Sequence, residues 1–326
     1  MILLTGGTGF IGSNVLAALA NQPVVVVDIL GNQEKWRNIA ACRFERLLHP
    51  AQLASFINSP AAAAIKIVIH MGAISSTTER DADLIAAVNI ALPQDLWHWC
   101  TAKGVRFLYA SSASVYGDGS LGFNDDLNLE RLNKLRPLNP YAWSKLAFDR
   151  FVVNEIALGR SVPPQWAGLR FFNVYGPNEF HKGSQQSVVP QFCRQIVETG
   201  SCRLFKSYRA GIEHGDQRRD FVHVDDCVNV LGWLCANPSV SGLFNVGSGI
   251  ASTFNALANV VFGALGKPPL LEYIDMPESL RAAYQYYTCA DLSRLRAAGY
   301  HAPMRSLNDG VGEYVSRYLA AGTAWR

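Results

Sequence analysis

Three glycines, Gly6, Gly9 and Gly12, stand at three-residue spacing between a short apolar run, Met1-Ile-Leu-Leu4, and a helical pattern that opens at Val15. Strand, glycine turn, then helix is a severe constraint on the first twenty residues of a protein. The first glycine permits a tight turn, the second lets backbone approach a pyrophosphate, and the third lets helix and strand pack closely. The helix N-terminus then offers unpaired N–H groups and a positive dipole end to phosphate oxygens. A second apolar run, Val24-Val-Val-Val-Asp28, ends on an acid where a ribose hydroxyl would be held. A glycine cluster alone can be a plain loop; between two such strands it predicts a dinucleotide site.

The first half continues the alternation. Ile65–His70 and Val105–Ser111 read as further buried strands, with a helix over 82–100 between them and the alanine run 61–64 as a turn or helix end. This pattern predicts an α/β fold, a Rossmann-like doubly wound parallel sheet with right-handed crossovers. After Gly168 it loosens. Leu169–Pro177 starts as a strand and ends as a loop, 187–199 reads as a helix, and 205–218 as a polar surface loop. Asp220–Asp226 reads as a short strand and helix cap before a helix at 227–236, and Leu243–Gly247 as another strand. The expectation is a dinucleotide domain of 1–172 plus about 220–248, with a smaller, discontinuous α/β substrate domain of about 173–219 and 249–326.

Composition narrows the class. A length of 326 residues, 49% hydrophobic and 17% charged, is enough to bury a large core. A net charge of +3 without a basic stripe argues against nucleic acid. Seven scattered cysteines, with no close pair at metal-ligand spacing, argue against a metal centre or disulfide framework. No apolar stretch approaches the ~18 residues that span a bilayer, so no membrane partner and a cytoplasmic location are expected.

In doubly wound sheets, ligands sit beyond the carboxyl ends of the strands. Met71-Gly-Ala-Ile-Ser-Ser76, Ser111-Ser-Ala-Ser114 and Asn173 follow three such ends. Tyr141 and Lys145 lie four apart in a predicted helix, on one face. A free phenol titrates near ~10, and bringing it toward ~7 takes roughly 4 kcal/mol. A cation at ~4 Å supplies about 4 kcal/mol at an effective dielectric near 20, but only about 1 in water. The pair thus becomes an acid/base inside a partly dry cleft. Tyr141 would take a proton from a hydroxyl held by Ser112, with Ser114 able to share that role, while Lys145 would hold a nicotinamide ribose and keep the phenol acidic. His70 reads as a satisfied core histidine.

GGTGFIG, the serine before Ala113-Ser-Val-Tyr-Gly117, and Tyr141-x-x-x-Lys145 resemble the extended short-chain dehydrogenase/reductase family of nucleotide-sugar epimerases and dehydratases. Within it, the ADP-heptose 6-epimerase branch is similar nearly end to end. The stretches that carry this are Gly72–Glu79, Phe171–Pro177 with His181-Lys-Gly-Ser184, Arg219–Val222, Ala283-Tyr-Gln285, Ala290–Leu292 and Leu295–Tyr300. That resemblance implies Lys182 as a second acid/base opposite Tyr141, for oxidation of a side-chain alcohol, rotation of the ketone and return of hydride to its other face, in supply of a lipopolysaccharide core precursor. It implies Phe10, Ile11, Asp28, Ile29, Lys35, Met71, Gly72, Ala73, Ile74, Ser75, Asn89, Val174 and Lys182 along the cofactor. Asn173, Ser184, Gln191, Phe205, Lys206, Ser207, Tyr208, Arg219 and Tyr284 would meet an ADP-heptose substrate, with Arg219 on the diphosphate. It also implies homo-oligomers, pentamers included.

The sequence departs from that pattern at Ile29, where Asn is usual, at Gln191, where His is usual, and in a longer loop at about 209–218. Asp28 by itself favours NAD, whereas Lys35 matches the position that meets a 2′-phosphate, so the resemblance implies NADP with NAD as the alternative. Rival readings are a nucleotide-sugar 4-epimerase, which has no evident use for Lys182, a 4,6-dehydratase, which needs an acid where Ala113-Ser114 stands, a net reductase, and a cofactor-sensing regulatory protein.

Overall fold

A computed structural model describes residues 1–326 except Gln33, Ala282, Ala283 and Ala324, so Ala283 of the resemblance above lies outside the described residues. The protein runs β1 (Ile2–Thr5), α1 (Phe10–Ala18), β2 (Val24–Val27), β3 (Arg46–Leu48), β4 (Ile67–His70), α2 (Leu92–Lys103) and β5 (Arg106–Ser112). It continues through α3 (Pro140–Ala157), β6 (Trp166–Phe171), β7 (Asn173–Tyr175), α4 (Val188–Thr199), β8 (Cys202–Phe205), β9 (Arg218–His223) and α5 (Val224–Ala236). Last come β10 (Gly242–Val246), β11 (Ala251–Thr253), α6 (Phe254–Ala264), β12 (Leu271–Ile274) and α7 (Leu307–Tyr314).

The main sheet has seven strands in the order β10-β6-β5-β4-β1-β2-β3, every pair parallel, which makes this a Rossmann-like α/β fold. Valine and isoleucine runs suit strands covered on both faces, and β1, β2 and β4 are buried along their whole length. Thr5 is in register with Val27 and His70, so the strands end together and form one polar edge. One apolar core lies on each face of this sheet, one around Phe107, Trp97 and Phe148, the other around Leu4, Val26, Leu231 and Phe244. A third core joins α4, α6 and α7 through Ile196, Val261 and Val311.

Two small sheets complete the molecule. β9 pairs parallel with β7 and antiparallel with β11, and β8 pairs parallel with β12. The helix expected over 82–100 contains a widened turn at residues 87–91, just before Pro93. A proline has no N–H to return to the preceding turn, and widening is one way to accommodate it. Among the described residues, no helix is long and apolar enough to cross a membrane.

Candidate active site

A cleft of about 910 Å³ opens at the carboxyl ends of the main-sheet strands. Its floor at one end is the glycine turn. Gly6 has φ +68°, and a Cβ there would lie 2.5 Å from the Gly72 nitrogen; a Cβ on Gly12 would lie 2.0 Å from the Gly6 carbonyl oxygen. Only glycine leaves the backbone this close. α1 starts at Gly9, where no side chain serves as a cap, so its first N–H groups, at Phe10 and Ile11, belong to residues that line the cleft. This is a cradle that fits a dinucleotide pyrophosphate.

At the tip of β2 the Asp28 carboxylate is fully engaged. The Thr8 amide and hydroxyl donate to one oxygen at 2.9 and 2.6 Å; Lys35 Nζ, at 3.0 Å, and the Ile29 amide, at 2.7 Å, donate to the other. Lys35 also donates to the Ile29 carbonyl at 2.8 Å. Asp28 and Lys35 line the cleft as an ion pair, whereas the Ile29 side chain, 51% exposed, is not among its lining residues. Asn89 also departs from the expected lining. It is buried, with its amide bracketing the Ile74 backbone through two 2.9 Å bonds and donating to Ser144 Oγ at 3.0 Å. It therefore fixes the Met71–Ser75 wall from behind, while Met71, Gly72, Ala73, Ile74 and Ser75 face the cleft.

At the centre are Ser112, Tyr141 and Lys145. α3 begins where its signals predict, with Pro140 in the first turn and the Asn139 side chain accepting from the Ala142 amide at 2.9 Å. Burial pushes the Tyr141 phenol above its ordinary value, and a hydrogen bond with Ser112 partly offsets this. Lys145 Nζ donates to the Ala110 carbonyl at 2.9 Å, and burial brings its pKa down to about 8 against the pull of Asp149. Desolvation dominates the phenol, and the ammonium is directed at a backbone carbonyl. Ser114 Oγ donates to Ser112 Oγ at 2.9 Å and so orients it. His70 is buried and neutral, its pKa down at about 3, but only Nδ1 has a partner, Thr5 Oγ1 at 2.7 Å. It is a core histidine with one ring nitrogen unpaired.

Lys182 reaches the cleft from the loop between β7 and α4, with Nζ 5.7 Å from the centre of the Phe10 ring. Burial lowers its pKa, opposed by Glu179. Beside it, His181 Nδ1 meets the Asn38 amide nitrogen at 3.0 Å, and burial, then Lys35 and Lys182, bring the imidazole down to about 4. Asn173, Val174 and Ser184 also line the cleft.

The remaining expected substrate residues form an annex beside this cleft. Phe254 is the wall, and the Arg219 guanidinium stacks against it at 5.7 Å and against Tyr284 at 5.1 Å. Lys206 pairs with Asp275 at 3.1 Å, the Tyr208 hydroxyl donates to Asp275 at 2.8 Å, and the Ser207 amide donates to His214. Phe205 ends β8 next to them. Gln191 stands apart from the lining, its amide donating to the Gln186 carbonyl at 3.0 Å.

Residues 2–247 match the profile of the NAD dependent epimerase/dehydratase family. The protein belongs to that family. Among its members, ADP-L-glycero-D-manno-heptose-6-epimerase of Nitratidesulfovibrio vulgaris is 45% identical over 98% of both chains, and that of Fusobacterium nucleatum is 41% identical over 98% of both. The crystal structure of the enzyme of that name from Helicobacter pylori superposes with a TM-score of 0.77 at 26% identity, covering 97% of this chain and 95% of the other. UDP-glucose 4-epimerase of Thermus thermophilus, solved with NAD, superposes at 0.72 with 25% identity, covering 96% and 97%. As a member of this epimerase/dehydratase family the protein is an isomerase that works with a nicotinamide dinucleotide, and the glycine cradle fits that group.

Sequence reasoning missed several groups that hold the family site together. Asp149, buried, accepts from Tyr109, Ser111 and Arg170 behind Lys145; its position four residues beyond Lys145 was a usable signal. Asn178 donates to Ser13 Oγ at 3.0 Å and Gln185 to Ser76 Oγ at 2.6 Å, and Glu179, fully buried, accepts from the Lys182 amide at its backbone carbonyl. Nothing in a polar loop's sequence announces burial.

Proposed function

We propose that this protein inverts the C-6 stereocentre of ADP-D-glycero-D-manno-heptose, in the sugar's side arm, giving the L-glycero isomer through a transient ketone. The observation that carries this reading is that a phenol and an amine, those of Tyr141 and Lys182, enter one cleft from different elements; both are groups able to carry a proton. An alcohol that is oxidised, turned and reduced presents its oxygen in two places, so two such groups serve where a single one would not. The near full-length likeness to proteins named ADP-L-glycero-D-manno-heptose-6-epimerase supports the same substrate.

A nicotinamide dinucleotide, when bound, supplies hydride exchange with the sugar carbon. The protein's residues manage the oxygen. Ser112 hydrogen-bonds the hydroxyl, and Tyr141, acting as the phenolate that the nearby Lys145 ammonium would favour, takes its proton. After the ketone turns, Lys182 supplies the proton at the second position; burial, which weakens its hold on that proton, is the state such a group needs. Stacked Arg219 and the Lys206–Tyr208 annex would take the nucleotide diphosphate. NADP is the favoured cofactor because Lys35 brings a cation to the end of β2 and compensates Asp28, which would otherwise repel a 2′-phosphate.

Incubating the purified protein with ADP-D-glycero-D-manno-heptose and following the C-6 stereocentre by NMR tests the reading. Inversion is expected; turnover of a UDP-hexose in its place would favour a 4-epimerase. Lys35→Ala should weaken NADP about 10- to 100-fold, the loss of one charge-assisted contact, and NAD far less. Equal losses for the two cofactors would refute the assignment of Lys35.

A further inference from the structure

The loop that carries Lys182 is an awkward piece of backbone. Gly176, Asn178 and Gly183 have φ of +140°, +75° and +56°, and Asn178 is a residue with a Cβ in the left-handed region. Such a segment keeps one shape only when its surroundings over-determine it. Glu179 is 0% exposed, and donors converge on its carboxylate from both ends of the loop. The Gly176 amide donates at 3.2 Å from the end of β7, and the Ser187 amide and hydroxyl donate at 2.5 and 2.9 Å from the start of α4. Tyr314 of α7 lies near the same carboxylate from a third element, and Glu179 helps to raise its phenol pKa after burial. An ionised carboxylate is an acceptor only, and a ring of donors with no acceptor is what that form requires. Its backbone carbonyl also accepts from the Lys182 amide at 3.0 Å, closing the turn that holds the lysine.

We infer that Glu179 is the positioning residue for Lys182. Its carboxylate ties both ends of the lysine's loop; burial raises its pKa, while the Ser187 and Gly176 hydrogen bonds and the charge of Lys182 favour the ionised form. This rests on the reading of Lys182 as the second proton-transfer group. Among the described residues the ionisable groups around the pair include Tyr314, near Glu179 from α7, His181 beside Lys182 on the loop, Lys35 and Asp28 acting on His181 from beyond, and Tyr141 and Lys145 in the same cleft. Burial alone would drive the lysine toward neutrality, and Glu179 opposes that, leaving it able both to hold and to release a proton. A neighbouring negative charge favours the ammonium, so removing it lets the proton leave at lower pH.

The test is the pH profile of kcat for Glu179→Gln, Glu179→Asp and Lys182→Ala, each with cofactor affinity as a check on folding. Glu179→Gln should shift the limb belonging to Lys182 to lower pH by on the order of one unit, a change that a purely structural role would not produce. Glu179→Asp keeps the charge but cannot reach both Gly176 and Ser187, so kcat should fall at least about tenfold with the limb in place. An unmoved limb in the Gln variant, or wild-type kcat in the Asp variant, overturns the inference while the function stands, provided Lys182→Ala is inactive. Full activity in Lys182→Ala removes the two-group reading and this inference with it.

Discussion

Lys145 illustrates how one residue trades stability against chemistry. It is 5% exposed, and its pKa falls from an ordinary 10.5 to about 8 because burial penalises the ammonium. The unfolded state therefore keeps this proton to higher pH than the folded one. Between about 8 and 10.5 the unfolded state binds more protons, so the residue's contribution to stability rises with pH across that window. Below about 8 the full penalty is present, on the order of 3 kcal/mol. Lys145→Met should accordingly unfold at higher denaturant than wild type at pH 7, and the advantage should shrink toward pH 10 while activity is lost at every pH. A variant less stable than wild type at pH 7 would mean that the Ala110 and Asp149 interactions outweigh desolvation. Tyr141 invites a simpler comparison. Tyr141→Phe removes the proposed acid/base but little volume, and should cut kcat about 10²- to 10⁴-fold without weakening the cofactor.

At the scale of elements, the same helix that presents Tyr141 and Lys145 carries Asp149 one turn further in, paired with Arg170 of β6 at 2.9 Å, both fully buried. Removing one partner leaves a charge in the core with no compensation, which costs about 3–5 kcal/mol. Asp149→Asn should lose that much in urea unfolding and loosen α3 against β5, since Tyr109 and Ser111 donate to the same carboxylate. The helix spacing that made Tyr141 and Lys145 readable also reached this carboxylate, although the sequence reading passed over it. The apolar runs made β1, β2 and β4 readable, where burial on both faces demands apolar sequence, and the Phe107-Leu-Tyr109 run did so for the centre of β5. β3, β8 and β12 were not readable. Arg46–Leu48 and Leu271–Ile274 expose much of their length and exist because a neighbour offers a pairing edge, which no local pattern encodes. In the site, Asn89 and Ile29 sit at family positions yet leave the cleft lining. Glu179 was hidden because its importance comes from donors brought in from the end of β7 and the start of α4.

For the molecule as a whole, the question is how the main sheet and the two small sheets, built from segments separated in sequence, hold one cleft. The knot is Asp220 on β9, fully buried between Arg219, which stacks on the annex wall, and Phe221, which lines the cleft. One carboxylate oxygen accepts from the Ser248 amide and hydroxyl at 2.6 and 2.7 Å, the other from the Gly249 and Ala290 amides at 3.0 and 2.9 Å. Three segments far apart in sequence thus close on one carboxylate. Asp220→Asn is nearly isosteric, but either orientation of the amide turns an NH₂ toward donors that need an acceptor. Two buried donors are stranded, at about 1–3 kcal/mol each. The substitution should therefore lower unfolding free energy by several kcal/mol. Because the glycine cradle and the Asp28–Lys35 pair belong to the main sheet, the dissociation constant of the cofactor should stay near wild type while KM for the sugar nucleotide rises. Parallel weakening of cofactor and substrate would mean that the two halves of the cleft are not separable in this way.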